Sequence, residues 1–164
     1  MRRPEARFTI FLFALLLAAL PRLCKAASIP TPQLIAKANQ HLSQDQPDSA
    51  LFVYKKAIQQ AQQKRQKPLQ LQAGLGLAEV YVYLGDYARA KDQLETCVTW
   101  AQRQNDRTQL LQTGLMWAEV EFAEGNLSEA ETLLKKLEKR ALPEQDQSAL
   151  ANAYNLWAKI YSQQ

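Results

Sequence analysis

The stretch LAEVYVYLGDYARA, running from Leu77 to Ala90, returns forty residues later as WAEVEFAEGNLSEA, from Trp117 to Ala130. A chain that says nearly the same thing twice builds one structural unit more than once. Each unit is too small to bury its own apolar face and is completed by stacking on its neighbour. The register extends over most of the sequence. Ala38, Ala78, Ala118 and Ala158 fall in one column, and Ala50, Ala90 and Ala130 in another. Gly85 and Gly125 share a third, with Asp45 in the first copy, and Asp86 and Asn126 follow them. Tyr54, Leu94 and Leu134 form an apolar column, and Ala61, Ala101 and Ala141 one more.

The unit reads as two helices. In the second copy, Leu71, Gly74, Leu77, Ala78, Tyr81 and Leu84 recur at helical spacing. Gly85 then supplies the positive φ that ends a helix, and Asp86 suits the turn. A second helix, YARAKDQLETCVTWAQRQ, turns Ala90, Leu94, Cys97, Val98 and Ala101 inward. Alanines at 78 and 90 let the two axes cross closely, since the side chains at a contact set the distance between helices. The first copy spans about 31–66, the second about 69–105 and the third about 107–142, with Pro68 and Pro143 at the joins and Pro47 at the start of a second helix. ANAYNLWAKIYSQQ reads as a fourth first helix, about 148–163. Glycine (5) and proline (7) are too few, and Ala, Gln, Leu, Lys and Glu too many, for an all-β alternative.

The first 26 residues are of another kind. MRRPEAR is a basic head, Phe8 to Leu20 an uncharged apolar run, and PRLCKA ends on small residues. That order is a secretory signal peptide, with cleavage expected after Ala26. The apolar run falls short of the roughly 20 residues that span a bilayer, so no stable span is expected after cleavage. An uncleaved anchor is the alternative. Removing residues 1–26 leaves 15 basic and 15 acidic residues, so the overall +4 belongs to the export signal and gives no reason to expect nucleic acid. It also leaves Cys97 as the only cysteine, expected buried and unable to form an internal disulfide.

The residues quoted resemble the tetratricopeptide repeat family. The likeness lies in the small first-helix residue (Ala38, Ala78, Ala118, Ala158), in the turns GDYARA and GNLSEA, and in LAEVY ending on Tyr81. It covers about Thr31 to Gln164. The step is longer than the family's usual 34 residues. The first copy also departs from the pattern, with Lys37, His41 and Asp45 where the second has Leu77, Tyr81 and Gly85. The resemblance implies an all-α, right-handed α-solenoid of antiparallel helix pairs, three repeats plus a C-terminal helix. First helices would line the concave face of a scaffold that holds a peptide or a partner protein.

No catalytic pattern competes with that expectation. His41 is the only histidine and has no evident ligand or triad partner. Glu119, Glu121, Glu124, Glu129 and Glu131 read as a solvated face around a turn. GLGLAE lacks the strand and the GK[ST] of a phosphate loop, and NLS at Asn126 is explained by its turn. No enzyme, cofactor or metal is expected. The candidate partner-binding groove is instead Asn39, Glu79, Val82, Tyr83, Glu119 and Phe122. The inward-pointing columns are Ile35/Leu75/Leu115, Asn39/Glu79/Glu119/Lys159 and Leu42/Val82/Phe122, with Tyr83 beside them. These suit a peptide with apolar anchors and a Lys or Arg. The other reading is that the apolar members fill the inside of a tight solenoid.

Three functions follow as expectations: an exported scaffold of the cell envelope, periplasmic or secreted; a sensory or regulatory segment; or a self-associating protein. Residues 27–67 carry net +4 and residues 111–150 net −4, a polarity that favours head-to-tail contact. In the last helix, Leu156 and Ile160 lie on a different side from Tyr154, Trp157 and Tyr161; exposed apolar residues there would mean a partner, a homo-oligomer through that helix or a missing continuation.

Overall fold

The computed structural model describes residues 29–141 and 147–162. The export signal, its cleavage point and the join at Pro143 lie outside the described residues. Those described form seven α-helices and no strand: α1 (Thr31–Ser43), α2 (Pro47–Gln63), α3 (Lys67–Tyr83), α4 (Tyr87–Gln104), α5 (Arg107–Glu124), α6 (Leu127–Ala141) and α7 (Gln147–Tyr161). Each packs on the next in chain order. The first helices α1, α3, α5 and α7 also pack on one another, whereas the second helices have no comparable mutual packing. The all-helical, repeat-built expectation holds at that level.

The joints repeat twice as often as the sequence columns suggest. Positive φ occurs at Asp45 (58°), Arg65 (55°), Gly85 (71°), Asn105 (51°) and Gly125 (91°), one residue in every twenty. At each, the following amide donates to a carbonyl five residues back, as from Asp86 to Tyr81 (2.9 Å) and Asn126 to Glu121 (2.8 Å). The left-handed residue itself donates three back, as from Gly85 to Val82 (2.9 Å). These two bonds satisfy carbonyls that a helix end leaves open. The next residue at once begins a new helix. Asp86 caps the amide of Arg89 and Asp106 that of Gln109, both at 3.0 Å. Where the cap is Gln46 or Gln66, without a side-chain bond, a proline stands in the first turn instead. Asp45 therefore does the work of Gly85 and is no departure in conformation.

Within a pair the small residues meet as expected. Ala38, Ala78 and Ala118, with Ala50, Ala90 and Ala130, are completely buried. Around them volume is exchanged from copy to copy. Gly74 makes room for α4, since a Cβ there would lie 2.8 Å from Cys97 Sγ. One step on, Gly114 makes the same room for Leu137, while in the first copy the large residue is Leu34 and the small one Ala57. Gly76 is filled by the ring of Tyr54, which a Cβ would overlap. Its counterparts are Met116 beside Leu94 and Leu156 beside Leu134. Close packing tolerates such swaps when total volume is kept.

The end helices explain two oddities of the first and last copies. Leu77 and Trp117 turn toward the preceding pair, in company with Ala73, Gly76, Val80 and with Thr113, Met116, Val120. The same face of α1 carries Gln33, Ala36, Lys37 and Gln40, all exposed. Lys37 is thus polar because its face is solvated. In α7 that face is Ala153, Leu156, Trp157 and Ile160, all buried. Trp157 therefore belongs with Leu156 and Ile160, and only Tyr154 and Tyr161 are exposed, contrary to the grouping read from the sequence. Ala158 is exposed too, unlike the alanines of its column. The cause is the absence of a helix across it among the described residues.

Candidate functional site

Because first helices pack side by side, one register position of each falls in a row. Asn39, Glu79, Glu119 and Lys159 occupy it, one per helix. Asn39, Glu79 and Lys159 are exposed and Glu119 is half-buried. Their mutual influence shows in the acid. Burial pushes the Glu119 carboxyl above its ordinary range, Lys159 draws it down, and the negative charge of Glu79 pushes it up again.

A residue the sequence reading left in the core joins this row. Tyr54 of α2 is fully buried, yet its ring passes through the gap at Gly76 and its hydroxyl donates to Asn39 Oδ1. Burial, with Glu79 nearby, pushes that hydroxyl up to about 12. Column counting placed Tyr54 with Leu94 and Leu134. The available signal was the mid-helix Gly76, a residue that a helix interior disfavours unless something must approach closely.

The other candidates are less open. Val82 and Phe122 are half-buried against the core. Ile35 is buried and Leu75 and Leu115 are half-buried in the same clusters. Tyr83 is 54% exposed, but its hydroxyl donates to Asp45 Oδ1 at 2.5 Å, tying the end of α3 to the α1–α2 joint. That bond, with the charge of Asp45, raises the Tyr83 hydroxyl above its ordinary value. The geometry sets Asn39 and Glu79 at the surface in one row with the half-buried Glu119 and gives Tyr83 a structural partner.

The acidic cluster is not one solvated face. Glu124 and Glu129 are exposed, but Glu121 is buried at 6%. Its carboxylate accepts from Lys91 Nζ (3.0 Å), Asn126 Nδ2 (2.8 Å) and Trp117 Nε1 (3.2 Å). Burial alone would raise its pKa. The bonds from Lys91 and Asn126 outweigh burial and hold it below the usual carboxylate range. Asn126 also donates to Glu124 at 2.9 Å, so its amide is committed to the turn. His41, at the equivalent of Glu121, lies with Nδ1 2.7 Å from Gln46 Oε1 and closes its own joint. Cys97 is buried, and burial, partly relieved by Gln93, pushes its thiol up to about 11, so it stays protonated.

Among the described residues no group of three His, Cys, Asp or Glu side chains is placed to hold a metal ion, and no helix is long and apolar enough to cross a membrane. Compared with protein-family models the chain matches none, and no curated protein is similar enough to count as a relative.

Proposed function

We propose that this chain is an exported, non-enzymatic scaffold, built as a right-handed solenoid of tetratricopeptide type, that holds a protein or peptide partner in the cell envelope. First helices that pack on one another, beside second helices with no comparable mutual packing among the described residues, favour an inner radius lined by α1, α3, α5 and α7. The observation that carries the reading is the row Asn39, Glu79, Glu119 and Lys159, one polar group per inner helix, with Tyr54 bonded beneath it. Glu79 and the half-buried Glu119 suit a Lys or Arg of an extended or helical peptide, with Val82 and Phe122 offering apolar contact beside them. Half-buried carboxylates pair more strongly than fully solvated ones, because water screens them less.

Capture from an envelope fraction with wild-type protein and with Glu79→Lys/Glu119→Lys tests the groove. Partners lost in the double variant support it, and an unchanged set removes it. Mass spectrometry of the exported protein is expected to find Ala27 at the N-terminus. An intact Met1 would favour the membrane-anchored alternative. Self-association draws on a different observation, the exposed aromatic face of α7.

A further inference from the structure

In the three complete pairs, one face of the first helix seats the second. In α3 it is Leu71, Gly74, Ala78 and Tyr81, and in α5 Leu111, Gly114, Ala118 and Glu121, all buried or half-buried. In α7 the same register positions are Ala151, Tyr154, Ala158 and Tyr161, and all four are exposed, the tyrosines at 49% and 61%. We propose that this face is a dimer interface, on which α7 of a second copy of the chain lies antiparallel.

Three observations choose the occupant. The first is contrast with the other end. The outer face of α1 is Gln33, Ala36, Lys37 and Gln40, as a solvated end of a repeat array should be. The face on α7 is small and aromatic and carries no charge. The second is the order of sizes. Ala151, Tyr154, Ala158 and Tyr161 alternate small and large. An antiparallel two-fold axis near residue 156 sets each Tyr154 over the partner's Ala158, and each Tyr161 over the partner's Ala151. Every tyrosine then finds an alanine and no two large residues collide, which is the self-complementarity a two-fold contact needs. The third is that the large residues are already held. Tyr154 donates to Glu138 Oε1 at 2.8 Å, and Tyr161 stacks on Trp157 with ring centroids 5.4 Å apart. Little side-chain freedom remains to be lost on pairing.

Sedimentation of the purified protein over a concentration series is expected to approach twice the mass of a single chain, as mass spectrometry gives it for the same sample. Ala158→Arg sets a charge on each side of the axis. It should weaken pairing by at least about a hundredfold while leaving the helical content unchanged, since the position is exposed. With Cys97 buried, chains carrying Tyr154→Cys mixed with chains carrying Ala158→Cys should join through a short bis-maleimide far better than either alone. A wild-type chain that stays monomeric overturns the proposal. So does an Ala158→Arg variant that still dimerises, or cross-linking of each variant mainly to itself. Loss of partners in Glu79→Lys/Glu119→Lys bears on the groove alone.

Discussion

Glu121 shows how much one side chain changes meaning between columns. Its counterparts are His41 and Tyr81, and each secures the joint that follows it by a different means. His41 bonds Gln46, Tyr81 lies under the Arg89 guanidinium at 4.9 Å, and Glu121 gathers Lys91 and Asn126. The buried carboxylate sits below its ordinary pKa of 4.5, and Lys91 sits above 10.5. A depressed acid contributes stability above its unfolded pKa and loses it as pH falls through the folded one. A raised lysine loses its contribution as pH rises past 10.5. The pair therefore supports the fold between about pH 5 and pH 10. Urea unfolding of Glu121→Gln should show a loss of about 1–2 kcal/mol at pH 7, shrinking as the pH falls below 4.5 and the carboxylate takes up its proton.

The element-scale logic is a helix, a left-handed residue and a cap, renewed every twenty residues. Arg65 is the least suited occupant of its hinge, because a side chain at φ 55° crowds the backbone. Arg65→Gly should stabilise by about 1 kcal/mol, read as a higher denaturant midpoint with unchanged slope. Packing between elements obeys a separate rule of conserved volume. Gly76→Ala gains helix propensity of about 1 kcal/mol, but it drives a methyl into the Tyr54 ring. Overpacking of about 1–3 kcal/mol is expected to dominate. Tyr54→Leu in the same chain should then recover most of the loss, since Leu94 and Leu134 already fill that column in the later copies. Failure of the second change to help would mean that Gly76 is required for another reason.

At the scale of the whole molecule, the main packing of each described helix is on near neighbours in the chain, so stability is expected to be local. Trp157, Leu156 and Ile160 close the last pair. Trp157→Ala should lose about 3–5 kcal/mol. Hydrogen exchange should place the lost protection in α5, α6 and α7, with α1 to α3 retaining theirs. Uniform loss along the chain would show a more cooperative unit than the contact pattern implies. The two ends also differ at this scale. The exposed face of α1 is polar and that of α7 is not, and this difference supports pairing through α7 more directly than does the net charge of either half.

Much of this was legible from residue order alone, because helices, their caps and their repeat are local. Alanines at 78 and 90 mark a close crossing, glycines at 85 and 125 mark a joint, and periods of three and four mark the buried stripe. The twenty-residue joint was harder to read, since Asp45, Arg65 and Asn105 share a conformation with Gly85 and Gly125 but not a chemistry. What lies across a helix pair was not legible at all. That Tyr54 reaches Asn39 through the gap at Gly76, that Glu121 is buried on Lys91, and that Tyr83 is tied to Asp45 each depend on how far one helix is rotated against another. That rotation is set by the summed volumes of facing side chains some twenty to forty residues apart. The sequence by itself determined a repeated helical pair with small residues at its crossing. The tertiary packing decided which of its polar residues stand in one row, and which face of α7 is left open.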